Sequence, residues 1–165
     1  MDYAELLKII SPILVGFISA YCGSLLALNK FKKEKFWDER RSSYKAAIEA
    51  LEELLHWSEQ VRAEHYCEPS NNVKAEPELA LRVISKLART GNLIFSTKFS
   101  ETLKTIDLSI SRAMFQIHDQ SLGDCGSDRE RAEWHLIEAN EIRKIVEENL
   151  PSLIKLAKDE LPKKT

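Results

Sequence analysis

Two spacings in this chain pair an arginine with a histidine. Arg129 and His135 are six residues apart, and so are Arg112 and His118. An arginine can hold a phosphate by paired hydrogen bonds, and a histidine can move a proton at it near neutral pH. His65 and Cys67 flank a single residue, and Cys125 lies in a loop with Gly123 and Gly126. Structural zinc asks for two paired ligand sets at set spacings. The chain offers one such pair, so no metal and no cofactor is expected. A cysteine nucleophile needs an adjacent base and an oxyanion hole. The sequence around Cys125 marks neither.

The Arg129…His135 spacing, at the start of a late helix, resembles the Arg-x4–6-His motif of helical ribonucleases of the HEPN superfamily. The resemblance implies that Arg129 and His135 act on a scissile phosphate, usually across a dimer. The residue after the arginine is Glu130, or Ala113 at the other match, where that superfamily commonly has Asn or Asp. Catalysis by Arg129 and His135 is therefore carried as an alternative, and no catalytic residue is assigned in the main reading.

What must position these residues is written in the hydropathy. Ile9 to Leu28, "IISPILVGFISAYCGSLLAL", carries no charge. At ~1.5 Å per residue, 20 residues reach ~30 Å, the thickness of a bilayer core. The start is acidic and no small-x-small cleavage site closes the run, so a retained transmembrane helix is expected rather than a signal peptide. Residues 30–45 follow with a net charge of +4, against −1 for residues 1–29 and −5 for the rest. Cations flanking a span stay on the cytoplasmic side. The N-terminus should then face out at the inner membrane, with residues 30–165 cytoplasmic. Lys30, Lys32, Lys33 and Lys35 would also attract anionic lipid head groups.

Within the run, Gly16, Ala20 and Ser24 recur every four residues, as do Ser19, Gly23 and Ala27. Small residues at that spacing let helices approach closely in lipid. The chain should form a homo-oligomer through this face. The three cysteines are odd in number and show no disulfide framework, which fits a reducing compartment for the soluble part.

The remaining pattern is helical throughout. Five glycines and five prolines argue against a many-turned β fold. Trp37, Tyr44 and Leu51 are seven apart, with Ala47, Ile48, Leu54 and Leu55 widening the stripe. No Gly or Pro stands between Ser24 and Pro69, so the helix can run on from the span, with Asn29 as its weakest point. Residues 66–78 and 119–128 read as loops. Pro77 opens a second helix whose inner face is Leu79, Val83 and Leu87 beside Ala80, Ile84 and Ala88. Ser100 is the expected cap of a third helix, which turns Leu103, Ile106, Ile110, Met114 and Ile117 inward. Ser127 and Glu130 form a capping box for a fourth helix, with Ala132, Leu136, Ala139, Ile142, Val146 and Leu150 on one side. Pro151 should kink or restart it. The expected fold is all-α: a tail and transmembrane helix over 1–29, a basic juxtamembrane segment over 30–45, and a cytoplasmic bundle of four to five helices over 35–165.

The stretch "FKKEKFWDERRSSYKAAIEALEELL", after an apolar helix, resembles small single-pass bacterial and prophage membrane proteins. Some of these lie beside phage-defence systems such as retrons, whose membrane effectors are thought to damage the inner membrane. The resemblance implies an antiviral or toxin-type effector acting through an unknown protein partner. The acidic bundle, with its cations interspersed among carboxylates, speaks against nucleic acid as a ligand. A passive membrane tether is the remaining reading.

Overall fold

A computed structural model describes residues 3–69, 76–121 and 126–160, with side chains from Val15 onward. The described residues form four helices and no strand: α1 (Tyr3–His65), α2 (Pro77–Thr90), α3 (Thr97–Ser121) and α4 (Asp128–Glu160). A 3-10 turn, Gly91–Leu93, follows α2. The chain divides into two units, Met1–Glu39 and Arg40–Thr165. The all-helical class and the bundle match the sequence pattern.

The first unit is helix alone. α1 passes Asn29 without a break. Every side chain from Val15 to Phe36 is exposed, Phe17 at 73%. Among the described residues, no helix is long and apolar enough to cross a membrane.

The second unit is a four-helix bundle. Tyr44 on α1 meets Phe95 and Phe99 at the start of α3, and Glu160 at the end of α4. Farther along α1, Trp57 meets His135 near the start of α4, with ring centroids 5.5 Å apart. Ser85 on α2 donates to Asp107 on α3 at 2.5 Å. These contacts fix an up-down-up-down order, the arrangement that short loops impose. Tyr44, Leu51, Leu54, Phe99, Leu103, Ile106, Ile142 and Leu153 are among its largest fully buried residues.

Helix ends follow local chemistry. Pro77 opens α2, where its missing N–H would have no partner. Glu130 N–H donates to Ser127 Oγ at 3.2 Å, and Ser127 N–H donates to Glu130 Oε2 at 2.8 Å. This is the expected capping box. α1 closes with Cys67 in the left-handed region, at φ 54°. Glu68 N–H reaches Ala63 O at 2.8 Å and Cys67 N–H reaches Glu64 O at 3.3 Å. Such a paired closure normally has glycine where Cys67 stands.

Several expectations are corrected. α3 begins at Thr97, and Ser96 is its cap, with Phe99 N–H donating to Ser96 Oγ at 3.3 Å. Ser100 is instead buried inside α3, donating to Asn92 Oδ1 at 2.6 Å. α4 runs through Pro151 as one helix. Leu150, Leu153 and Ala157 are buried on both sides of the proline, so packing holds the helix where one backbone bond is lost. On α2 the buried stripe is Ala80, Ile84 and Ala88, while Leu79 is exposed and Val83 and Leu87 are half-buried. Ala132 is exposed as well, because α4 starts its inward stripe only at Leu136 and Ala139.

Candidate functional site

The densest polar constellation lies where α1, α3 and α4 converge. Glu160, the last described residue of α4, turns its carboxylate inward. Its Oε2 accepts from the Tyr44 hydroxyl and lies 3.4 Å from Arg40 Nη2. Its Oε1 accepts from the Ser96 hydroxyl. Arg40 Nη2 also donates to Tyr44 Oη at 3.2 Å, and its guanidinium carbon sits 5.6 Å from the Tyr44 ring centre. The tyrosine hydroxyl thus accepts from a cation and donates to an anion, an order that polarises both bonds.

Sequence and packing explain the placement. Arg40 and Tyr44 are one helical turn apart on α1, so they share a face. Phe95 and Phe99 hold the Tyr44 ring, with centroids at 4.8 and 4.6 Å. Arg40 and Glu160 side chains are 19% and 18% exposed, which shields the pair from solvent screening. Burial of the phenol, then its hydrogen bond to Glu160, raises the Tyr44 pKa above its ordinary value of 10.0. Near neutral pH Tyr44 is therefore a hydrogen-bond donor. The cluster binds three helices into one end of the bundle.

A cavity of about 210 Å³ opens between the end of α3 and the start of α4. His118 and His135 both line it, with Ser121, Arg131 and Trp134. Two histidines assigned by the sequence to separate spacings thus share one site. Their arginines do not join them. Neither Arg112 nor Arg129 lines the cavity, and Arg129 is well exposed and paired with Glu133 at 3.1 Å. His135 Nδ1 lies 3.8 Å from Glu138.

The residues of the small-side-chain rows, Gly16, Ser19, Ala20, Gly23, Ser24 and Ala27, are all exposed. A methyl group added at Gly16 or Gly23 would meet nothing within 4 Å. Lys30, Lys32, Lys33 and Lys35 are exposed, with Lys30 3.9 Å from Glu34. Cys22 and Cys67 are exposed free thiols, and Cys125 lies outside the described residues. No group of three His, Cys, Asp or Glu among the described residues could hold a metal ion.

Sequence reasoning missed Glu160 and Ser96. Their partners lie 64 to 120 residues away, beyond any helical period. One signal was available. Asp159 and Glu160 put negative charge at the C-terminal end of α4, where the helix dipole disfavours it. A carboxylate in that position calls for a donor elsewhere.

The chain matches no protein-family model, no curated protein and no solved structure.

Proposed function

We propose that this chain is a single-pass, membrane-anchored helical bundle that acts through protein interaction and self-association, as a toxin-type or antiviral membrane effector. Its N-terminus lies outside the inner membrane and its bundle in the cytoplasm. One observation carries the reading. From Val15 to Leu28 a continuous helix exposes Val15, Phe17, Ile18, Tyr21, Leu25, Leu26 and Leu28 over about half of its circumference, with the small residues Gly16, Ser19, Ala20, Gly23, Ser24 and Ala27 on the other half. Complete burial of each such side chain is worth about 1.5–3 kcal/mol, so water is a poor medium for this helix. Lipid is the surrounding that suits an apolar surface without a polar stripe. The reading takes the uncharged run whole, Ile9–Leu28, of which the described side chains begin at Val15. The cations from Lys30 onward agree with a cytoplasmic bundle, and the two rows of small residues with pairing in lipid.

A rival reading has one observation in its favour, the cavity shared by His118 and His135. It makes the bundle a tethered ribonuclease that uses Arg129 and His135. A passive tether is the third.

Induced expression separates them. Growth and membrane potential are followed for the intact chain, for Gly16→Leu/Ala20→Leu, and for His135→Ala. The effector reading expects depolarisation that only the span variant abolishes. Growth arrest without depolarisation, lost only in His135→Ala, overturns it in favour of the nuclease. A chain that leaves growth and potential untouched in every form is a tether.

A further inference from the structure

The bundle segregates its charge along its length. Tyr44, near the start of α1, meets Phe95 just before α3 and Glu160 at the end of α4. The chain therefore enters the bundle at the end that also holds the turn between α2 and α3. At this end, residues 40–48, 86–104 and 152–160 carry nine Lys and Arg against three Asp and Glu. At the other end Trp57 meets His135. There, residues 56–69, 76–79, 115–121 and 128–138 carry three Lys and Arg against ten Asp and Glu. Of the three acids at the first end, Glu160 is turned inward and held by Arg40, Tyr44 and Ser96. Arg89, Lys98 and Lys158, on three different helices, are exposed there, with Asp159 and Glu101 as the exposed acids.

The tip of the cationic end is apolar. Leu93, in the 3-10 turn, is 84% exposed, more than any other large apolar side chain among the described residues. The turn is held in place. Phe95 N–H donates to Gly91 O at 2.7 Å, Ser100 donates to Asn92 at 2.6 Å, and the Phe95 ring is buried. Arg89 in the last turn of α2 and Lys98 in the first turn of α3 stand behind Leu93 on either side. An apolar tip with cations one turn behind it has the order of an anionic leaflet, whose phosphates lie outside its hydrocarbon boundary. The acidic end of a second copy also offers carboxylates, but chains anchored in one membrane all stand the same way up, so unlike ends do not meet. The 12 residues from Leu28 to Arg40 reach ~18 Å as a helix, of which head groups fill about 6 Å. A lean of the bundle covers the remainder.

We infer that the cationic end of the bundle docks on an anionic leaflet, with Leu93 entering the head-group boundary and Arg89, Lys98 and Lys158 meeting lipid phosphates. The inference rests on the membrane-anchored reading, which puts lipid on the side from which the chain enters the bundle. It adds contacts on α2, α3 and α4 to the four juxtamembrane lysines. Docking of this kind makes the composition of the leaflet an input to the bundle.

The test uses the full chain in vesicles of phosphatidylcholine alone or mixed with phosphatidylglycerol. Amines are labelled from outside and read by mass spectrometry, with Lys144, exposed halfway along α4, as the internal control. Each cation near an anionic surface is worth roughly 1 kcal/mol, which is about a fivefold change in occupancy. Lys98 and Lys158 should be protected about fivefold relative to Lys144 in the anionic vesicles alone. Arg89→Glu should remove most of that protection, and Leu93→Ser should reduce it about twofold or more. Both positions are exposed, so the fold tolerates the changes. Equal labelling of Lys98, Lys158 and Lys144 in both vesicles, with the chain incorporated, overturns docking and leaves the anchor standing. Protection that Leu93→Ser leaves unchanged overturns the turn as the contact. Protection in neutral vesicles that grows with the number of chains per vesicle assigns the cationic end to another copy and overturns the leaflet. A chain that does not enter vesicles at all defeats the anchor and the docking together.

Discussion

Residues 15–36 and residues 44–63 belong to one helix, α1, yet they meet opposite surroundings. In the first stretch every side chain is exposed, including Phe17, Ile18 and Leu26. In the second, Tyr44, Ala47, Leu51, Leu54, Trp57 and Val61 are buried against the other helices. Helical backbone geometry is common to both, so it does not account for the difference. Distribution of side chains does. The second stretch alternates apolar and charged residues at helical spacing and gives α2, α3 and α4 a face to cover. The first is apolar or small as far as Leu28 and mostly charged from Lys30 to Lys35, with no single apolar face set against a polar one, and so leaves no direction in which a folded partner within the described chain would be favoured. Stability of this molecule should therefore reside almost wholly in Arg40–Thr165.

The largest test of that contrast compares two phenylalanines. Phe99 is fully buried and touches Tyr44 and Phe95 edge-on or tilted, with centroids at 4.6 Å. Phe99→Ala should cost about 3–5 kcal/mol, as large cavities do. Phe17→Ala should leave the bundle within about 0.5 kcal/mol of the parent. Urea unfolding followed by the fluorescence of buried Trp57 reads both. A comparable loss at Phe17 would mean that the first stretch does stabilise the bundle.

Next comes the Glu160 cluster. Glu160→Ala leaves Arg40, Tyr44 and Ser96 without their shared acceptor, and should cost about 2–3 kcal/mol. A loss below about 0.5 kcal/mol would class it with surface pairs. Tyr44 adds a pH signature. Its pKa is raised in the folded state, chiefly by burial, so the folded chain keeps a proton that the unfolded chain has begun to release. The contribution is complete below about pH 10 and is lost as pH rises through the folded value. Tyr44→Phe should remove that part of the alkaline loss while leaving the profile near neutrality parallel to the parent's. Urea midpoints measured across the alkaline range decide it.

How far the sequence foretold this can be judged residue by residue. Helix identity was legible because the periods of α1, α3 and α4 are long, and the capping box at Ser127 and Glu130 is a local code that needs no tertiary information. Pro151 misled because its cost is local, while the burial of Leu150 and Leu153 that overrides it is not. Ser100 misled for a related reason. Ser96 and Ser100 are both plausible caps, and the partnership of Ser100 with Asn92 appears only once the 3-10 turn is formed. The polar cluster was half legible. Arg40 and Tyr44 lie one turn apart on a single stripe, but their acceptor stands 116 to 120 residues further on. The histidine cavity shows the converse, since spacing pairs His118 with Arg112 and His135 with Arg129, while the fold brings the two imidazoles to one cavity that neither arginine lines.

A smaller effect is expected at the turn between α2 and α3. Gly91 has ordinary helical φ, −61°, so conformational freedom is not why glycine is there. Space is. A Cβ at this position would lie 2.7 Å from Phe95 Cδ2, and that ring is buried against Tyr44 and Phe99. Overpacking typically costs 1–3 kcal/mol and the entropy gain from alanine is below about 1, so Gly91→Ala should lose about 1–2 kcal/mol. Adding Phe95→Leu should recover part of the clash, giving a double variant more stable than the sum of its parts. Strict additivity would show that the ring is not the obstacle.

The smallest effect should be a gain, at the end of α1 remote from the apolar run. Cys67 holds φ 54° to complete the closure by Glu68 and Cys67 N–H groups. A residue with a Cβ pays roughly 1–2 kcal/mol for that conformation, and glycine does not. Glycine also loosens the unfolded chain, by about 0.4–1 kcal/mol. Cys67→Gly should therefore stabilise the bundle by about 0.5–1 kcal/mol, a rise in Tm of some 1–4 °C. Cys67→Val supplies the contrast, because a β-branched side chain tolerates positive φ poorly. It should lower Tm, while a cysteine-to-serine change leaves it nearly unmoved. If glycine and valine shift Tm in the same direction, the strain at Cys67 is not what limits the end of α1, and the thiol's own surroundings must be.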